Sequence, residues 1–118
     1  MNLNFVKLVK KGEEDECILF KASAYCNLKN YLVHDNTFDA DGELSNKLRH
    51  MYRFNRSVSV NADEYVALYV KKKGSYNKGK YGDAVCHIFY WGLDVSVFNS
   101  DGDHLYLLKI AETKRFPV

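Results

Sequence analysis

Proline is almost missing from this sequence. Its single copy, Pro117, stands at the extreme C-terminus, so no proline-rich linker divides the chain. Long apolar runs are missing too. No stretch approaches the ~20 consecutive apolar residues of a transmembrane helix, and no membrane span is expected. The opening residues, Met1 to Lys11, have no apolar h-region and no small-residue cleavage site, so they do not read as a signal peptide. The compartment stays open between the cytoplasm and a domain excised from a secreted protein. Neither sign of charge is in excess: 17 basic against 15 acidic residues give a net charge of +2. That balance reads as a mixed solvated surface and implies no acidic partner by itself. Cysteine is scarce and odd in number, with Cys17, Cys26 and Cys86 and no C-x-x-C pair. A structural zinc site of the ribbon or finger type is thereby excluded. Three buried free thiols are expected, since free Cys packs as a small hydrophobe. A Cys17–Cys26 disulfide would need their strands to be neighbours.

What is present points to β-structure. A length of 118 residues fits one domain, taken as 1–118. Nine Tyr and seven Phe make aromatics 14% of the chain, and such side chains suit a pleated, half-buried surface. Short apolar or alternating runs recur: Phe5–Lys10, Cys17–Lys21, Leu28–His34, Arg49–Phe54, Val58–Val60, Glu64–Val70, Val85–Trp91, Val95–Phe98 and Leu105–Ile110. In Glu64–Val70 the residues Val66, Leu68 and Val70 share one face, and Tyr65, Ala67 and Tyr69 share the other. Between these runs lie turn-rich segments, including Asp35–Asn46, Lys71–Asp83 and Asn99–Asp103. The one helical pattern is Leu44, Leu48 and Met51, which admits a short turn over Glu43–Met51. About eight to nine short strands with frequent turns predict an all-β fold, a β-sandwich or barrel.

The order of these pieces resembles the lamin tail domain family, whose fold is an immunoglobulin-like β-sandwich. An early strand ends in an acidic turn, Lys11–Glu16. Then come a strand of the E-x-V-x-L-x-N type at Glu16–Ala22 and an L-x-x-W-x-L-x-D run at Leu28–Asp35, where Tyr31 replaces Trp. A Y-x-F piece, Tyr52-Arg53-Phe54, and the strand Tyr65–Val70 follow. The most specific part is Tyr90-Trp91-Gly92, a spacer, then Val97-Phe98-Asn99-Ser100-Asp101-Gly102-Asp103 and a closing strand. It is similar to the Y-W-G and V-W-N-N-D-G-D motifs of bacterial members, with Phe98 in place of Trp and Ser100 in place of Asn. The resemblance implies a scaffold or targeting module, non-catalytic, with a protein partner. The residues of the motif read as structural: Trp91 and Phe98 as buried aromatics, Gly92 as a bend, Asn99, Asp101, Gly102 and Asp103 as a turn.

Four constellations bear on chemistry. Thr37–Glu43 looks like the start of a calcium loop, but Leu48 stands where a bidentate Glu would close the cage. His34, His50, His87 and His104 are scattered, and adjacent Cys86 and His87 point to opposite faces of a strand, so they cannot share one metal. No carboxylates converge, and no acyl-transfer motif is present; no enzyme, metal or cofactor is expected. The fourth is Lys71–Tyr81, where Lys71, Lys72, Lys73, Lys78 and Lys80 are interleaved with Tyr76 and Tyr81. Lysines neutralise phosphates and tyrosines stack on unpaired bases. The leading expectation is an interaction module acting through loops and sheet edges. The alternative is nucleic-acid or anionic-surface binding through this basic loop.

Overall fold

The computed structural model describes residues 1–36, 50–98 and 104–118. The fold is all-β. Ten strands are described: β1 (Leu3–Val9), β2 (Cys17–Ala22), β3 (Cys26–Asn27), β4 (Tyr31–His34), β5 (Met51–Arg53), β6 (Ser59–Val60), β7 (Tyr65–Tyr69), β8 (Asn77–Tyr81), β9 (Ala84–Tyr90) and β10 (Tyr106–Lys109). They form a five-stranded sheet in the order β1-β2-β7-β9-β8, a three-stranded sheet β10-β4-β5 and the pair β3-β6. Pairing is antiparallel except between β7 and β9, which run parallel in register from Tyr65↔Cys86 to Tyr69↔Tyr90. The sheets face each other as a sandwich.

The core lies between them. The five-stranded sheet supplies Ile18, Phe20, Val66, Leu68 and Phe89, and the smaller sheets with their connections supply Leu28, Tyr31, Val33, Phe54 and Val60. Phe20, Phe54 and Leu68 are fully buried, and each such side chain is worth ~1.5–3 kcal/mol over leaving it in water. Rings meet edge to face along Trp91, Tyr52, Phe54 and Phe89. Trp91 is thus packed into the sandwich, as the sequence implied, and Gly92 makes the bend after it at φ +75°. Phe98 is buried as well. All three cysteines are free and buried, and Cys17 and Cys26 face different clusters, so no disulfide joins them.

Four expectations need correction. Lys71–Asp83 is not all loop: Asn77–Tyr81 forms β8, hydrogen-bonded to β9 from Asn77↔Ile88 to Tyr81↔Ala84. The two-residue turn Gly82-Asp83, with Gly82 at φ +62°, closes that hairpin. A Gly at the first central position is what a II′ turn requires. Val95–Phe98 forms no strand, and Leu28–Asn30 is a 3-10 turn capped by the Asn27 side chain, so only Tyr31–His34 of that run pairs. Met51 belongs to β5 rather than to a helical turn. The rest of Glu43–Met51 up to residue 49, the Thr37–Glu43 loop, and Asn99, Asp101, Gly102 and Asp103 lie outside the described residues.

Candidate functional site: the outer face of the large sheet

The pleat decides which residues of the five-stranded sheet look outward. Strands β2, β7 and β9 are apolar on both faces, which is unusual for a surface sheet. Their second face carries Cys17 and Leu19 from β2, Ala67 from β7 and Cys86 from β9, with Val9, Tyr65, Tyr69 and Ile88 packed around them. Register sets the rows. Tyr65 pairs with Lys21 and Cys86, Ala67 with Leu19 and Ile88, and Tyr69 with Cys17 and Tyr90. β8 adds Gly79 beside Cys86 and Asn77 beside Ile88. Small side chains at Ala67 and Gly79 therefore stand between two tyrosine pairs. Tyr65 and Tyr81 are tilted with ring centroids 4.7 Å apart, and Tyr69 and Tyr90 are stacked at 5.6 Å. Tyr65 and Tyr69 are four positions apart on β7, a span of ~13 Å at ~3.3 Å per residue.

Between the pairs lies a trough of ≈ 200 Å³ with Leu19, Ala67 and Ile88 on its floor and Lys10, Lys80 and Tyr81 at its rim. A Cβ on Gly79 would stand 3.0 Å from the Ile88 Cδ1, so the glycine keeps this floor low. Tyr90 is held in place by Asn77 Nδ2, which donates to its hydroxyl at 3.0 Å. The face is also positive. The Lys7 ammonium lies 5.9 Å from the Tyr81 ring, Lys21 lies 5.4 Å from Tyr65 and Lys72 lies 5.1 Å from Tyr69. Such pairs hold a cation over a ring by ~0.5–1 kcal/mol at exposed sites. Lys10 is bonded to Asp15 at 2.7 Å, and Lys21 has Asp63 at 3.9 Å.

Burial pushes the Cys17 thiol up to about 12 and raises that of Cys86, which favours the neutral thiol at both positions below the rings. Burial likewise raises the Tyr69 phenol, which stays neutral.

The residues expected to bind are thus separated by the structure. Lys72 and Tyr81 stand on the outer face. Lys71 donates to the Gly12 carbonyl at 3.3 Å, and Lys73 approaches Asp94 at 3.8 Å. Lys78 and Lys80 are exposed on β8. Tyr76 turns inward instead. Its hydroxyl donates to His87 Nδ1 at 2.8 Å, and His87 Nε2 donates to Glu64 Oε1 at 2.8 Å. The Asn61 backbone N–H donates to the same carboxylate oxygen at 3.1 Å. Burial pushes the Glu64 carboxyl up, but the His87 and Asn61 hydrogen bonds outweigh it and hold the group below its ordinary range. The array has a hydroxyl–imidazole–carboxylate order. Yet His87 is 2% exposed, and none of the three lines the trough or the larger cleft of ≈ 350 Å³ between Phe5, Ile18 and Leu105.

Other polar clusters hold the fold. Glu16 is fully buried and accepts from Ser96 Oγ at 2.8 and 2.9 Å and from the Gly12 N–H at 2.7 Å. Asp35 bonds the His50 ring at 2.8 Å, while His34 stacks on Tyr106. Among the described residues no group of three or more His, Cys, Asp or Glu could hold a metal. The sequence alone does not single out Lys7, Lys21, Tyr65 or Tyr69, and it reads Tyr90 as part of the scaffold. The available signal was the second face of β7, Tyr-x-Ala-x-Tyr, whose opposite face was already apolar. No family model matches this sequence, and no curated protein matches it.

Proposed function

We propose that this protein is a non-catalytic binding module that takes an anionic macromolecule on the outer face of its five-stranded sheet. One observation carries the reading: three ammonium groups, from Lys7, Lys21 and Lys72, are each held over a tyrosine ring of that single face. The rings position the cations without neutralising them, and although Lys21 also has Asp63 at 3.9 Å, a polyanion meets a preset array. A non-catalytic role is supported by the raised thiols and by the Tyr76–His87–Glu64 array lining neither cleft. The resemblance to lamin tail domains supports the same view, as those are scaffold and targeting modules. β8 closes one edge of the sheet, where its exposed Lys78 and Lys80 discourage edge-to-edge aggregation.

The test is binding of a fluorescein-labelled heparin fragment by anisotropy. The triple variant Lys7→Ala/Lys21→Ala/Lys72→Ala is compared with Lys29→Ala/Lys109→Ala/Lys114→Ala, which removes the same charge elsewhere. Loss of more than about tenfold in affinity is expected for the first and little change for the second, since phosphate or sulfate contacts are local while net charge is not. Equal losses in both variants, or no binding by the parent protein, would overturn the reading.

A further inference from the structure

The geometry points to a particular anionic partner: a single-stranded nucleic acid, its bases in the trough between the two tyrosine pairs and its phosphates on the ring-seated lysines. This inference rests on the anionic-partner reading above and narrows it. A sulfated glycan would use the lysines alone. It would gain nothing from an apolar floor of Leu19, Ala67 and Ile88 or from four rings. A base has an apolar π-face as well as a phosphate, and it uses both halves of the surface.

Duplexes fit less well. Their bases are stacked internally, so only phosphates reach a protein face of this shape. A single strand offers free π-faces. The ~13 Å between Tyr65 and Tyr69 leaves room for at most about three bases at a ~3.4 Å rise between the two ring pairs, fewer if the strand is extended. Sequence preference should be weak, because every base has a π-face and no base-edge code is set by a flat sheet. Tyr81, 41% exposed, is the ring most open to a base, and Tyr69 stands diagonally across the trough.

The experiment uses a labelled 15-nucleotide oligo-dT, an abasic strand with the same phosphates, a 15-base-pair duplex and the heparin fragment. Anisotropy is read between 50 and 200 mM salt. The oligo-dT should bind at least about tenfold more tightly than the abasic strand or the duplex. With three phosphates neutralised, the slope of log K against log salt should be about −2, a loss of roughly twentyfold over that range. Tyr81→Leu and Tyr69→Leu keep the apolar volume and should each weaken oligo-dT about tenfold but heparin only about twofold, the share due to losing one ring under Lys7 or Lys72. Tyr25→Leu, exposed away from this face, should do neither; each variant is checked for a native melting transition. Equal binding of oligo-dT and the abasic strand, or indifference to both tyrosine variants, would overturn the inference while the anionic-partner reading stands. Failure of every probe to bind overturns both.

Discussion

Replacing Tyr76 by Phe removes one oxygen atom and separates two accounts of this residue. In a binding loop the change would weaken ligand. In the fold it should weaken the protein instead. The hydroxyl is 2.8 Å from Nδ1 of an imidazole that is 2% exposed. In the neutral tautomer whose Nε2–H donates to Glu64, Nδ1 accepts from the hydroxyl and has no substitute once the hydroxyl is gone. The net hydrogen bond is worth ~0.5–1.5 kcal/mol, and stranding a buried acceptor costs ~1–3 kcal/mol. The ring itself keeps its place, 4.9 Å from Phe89 and with the Arg56 guanidinium 4.9 Å from its centroid. We therefore expect a loss of about 1.5–3 kcal/mol, a large share of the ~5–15 kcal/mol that holds a domain of this kind. Urea unfolding followed by Trp91 fluorescence should show a lower midpoint at unchanged slope, and melting should fall by about 4 °C per kcal/mol. Polyanion affinity should not change. A stability change below about 0.5 kcal/mol, together with a several-fold loss of affinity, would refute the reasoning and return Tyr76 to the binding surface.

Gly92→Ala should cost about 1–2 kcal/mol, because φ is +75° there and the new Cβ would also meet the Lys73 Cγ at 3.3 Å; thermal melting checks it. The three thiols should stay unreactive to Ellman's reagent at pH 8 in the folded protein and react fully in denaturant, since burial raises all three; rapid reaction of Cys17 or Cys86 would contradict the closed floor. Glu64→Gln should lower stability by about 1 kcal/mol at pH 7. Because the folded Glu64 carboxyl titrates below its ordinary value of 4.5, its contribution is complete above that value and is lost as pH falls through the folded pKa. The gap between parent and variant in urea should therefore close in acid; a gap constant from pH 7 to 3 would contradict it.

Much of the fold was legible in the sequence because alternation carries it. Glu64–Val70 announces two faces, and both faces are found: Val66, Leu68 and Val70 in the sandwich core, Tyr65, Ala67 and Tyr69 outside. Opposite facing of Cys86 and His87 also follows from the pleat, and the structure places them so. β8 was hidden for a physical reason. Asn-Lys-Gly-Lys-Tyr buries almost nothing, so no hydrophobic period marks it, and its pairing comes from main-chain bonds and the Gly82-Asp83 turn. That Gly-Asp dipeptide was the available signal. Val95–Phe98 alternates like a strand, yet Val97 and Phe98 are buried by packing into the core without pairing. The candidate site was half legible. Lys72 and Tyr81 could be read from local composition, but Lys7, Lys21 and Tyr65 come from three strands far apart in sequence. Only the order β1-β2-β7-β9-β8 brings them to one face. The Tyr76 contact is not legible in the sequence, because nothing local says that His87, eleven residues on, meets its hydroxyl.

The most direct measurement is an amide chemical-shift map of the ¹⁵N-labelled protein titrated with the 15-nucleotide oligo-dT. Shifts should concentrate on β7, β8, β9 and on β1–β2 around Lys7 and Lys21, and leave β4, β5 and β10 still. Shifts confined to the three-stranded sheet, or no shifts at saturating oligonucleotide and low salt, would contradict a binding role for the tyrosine and lysine face.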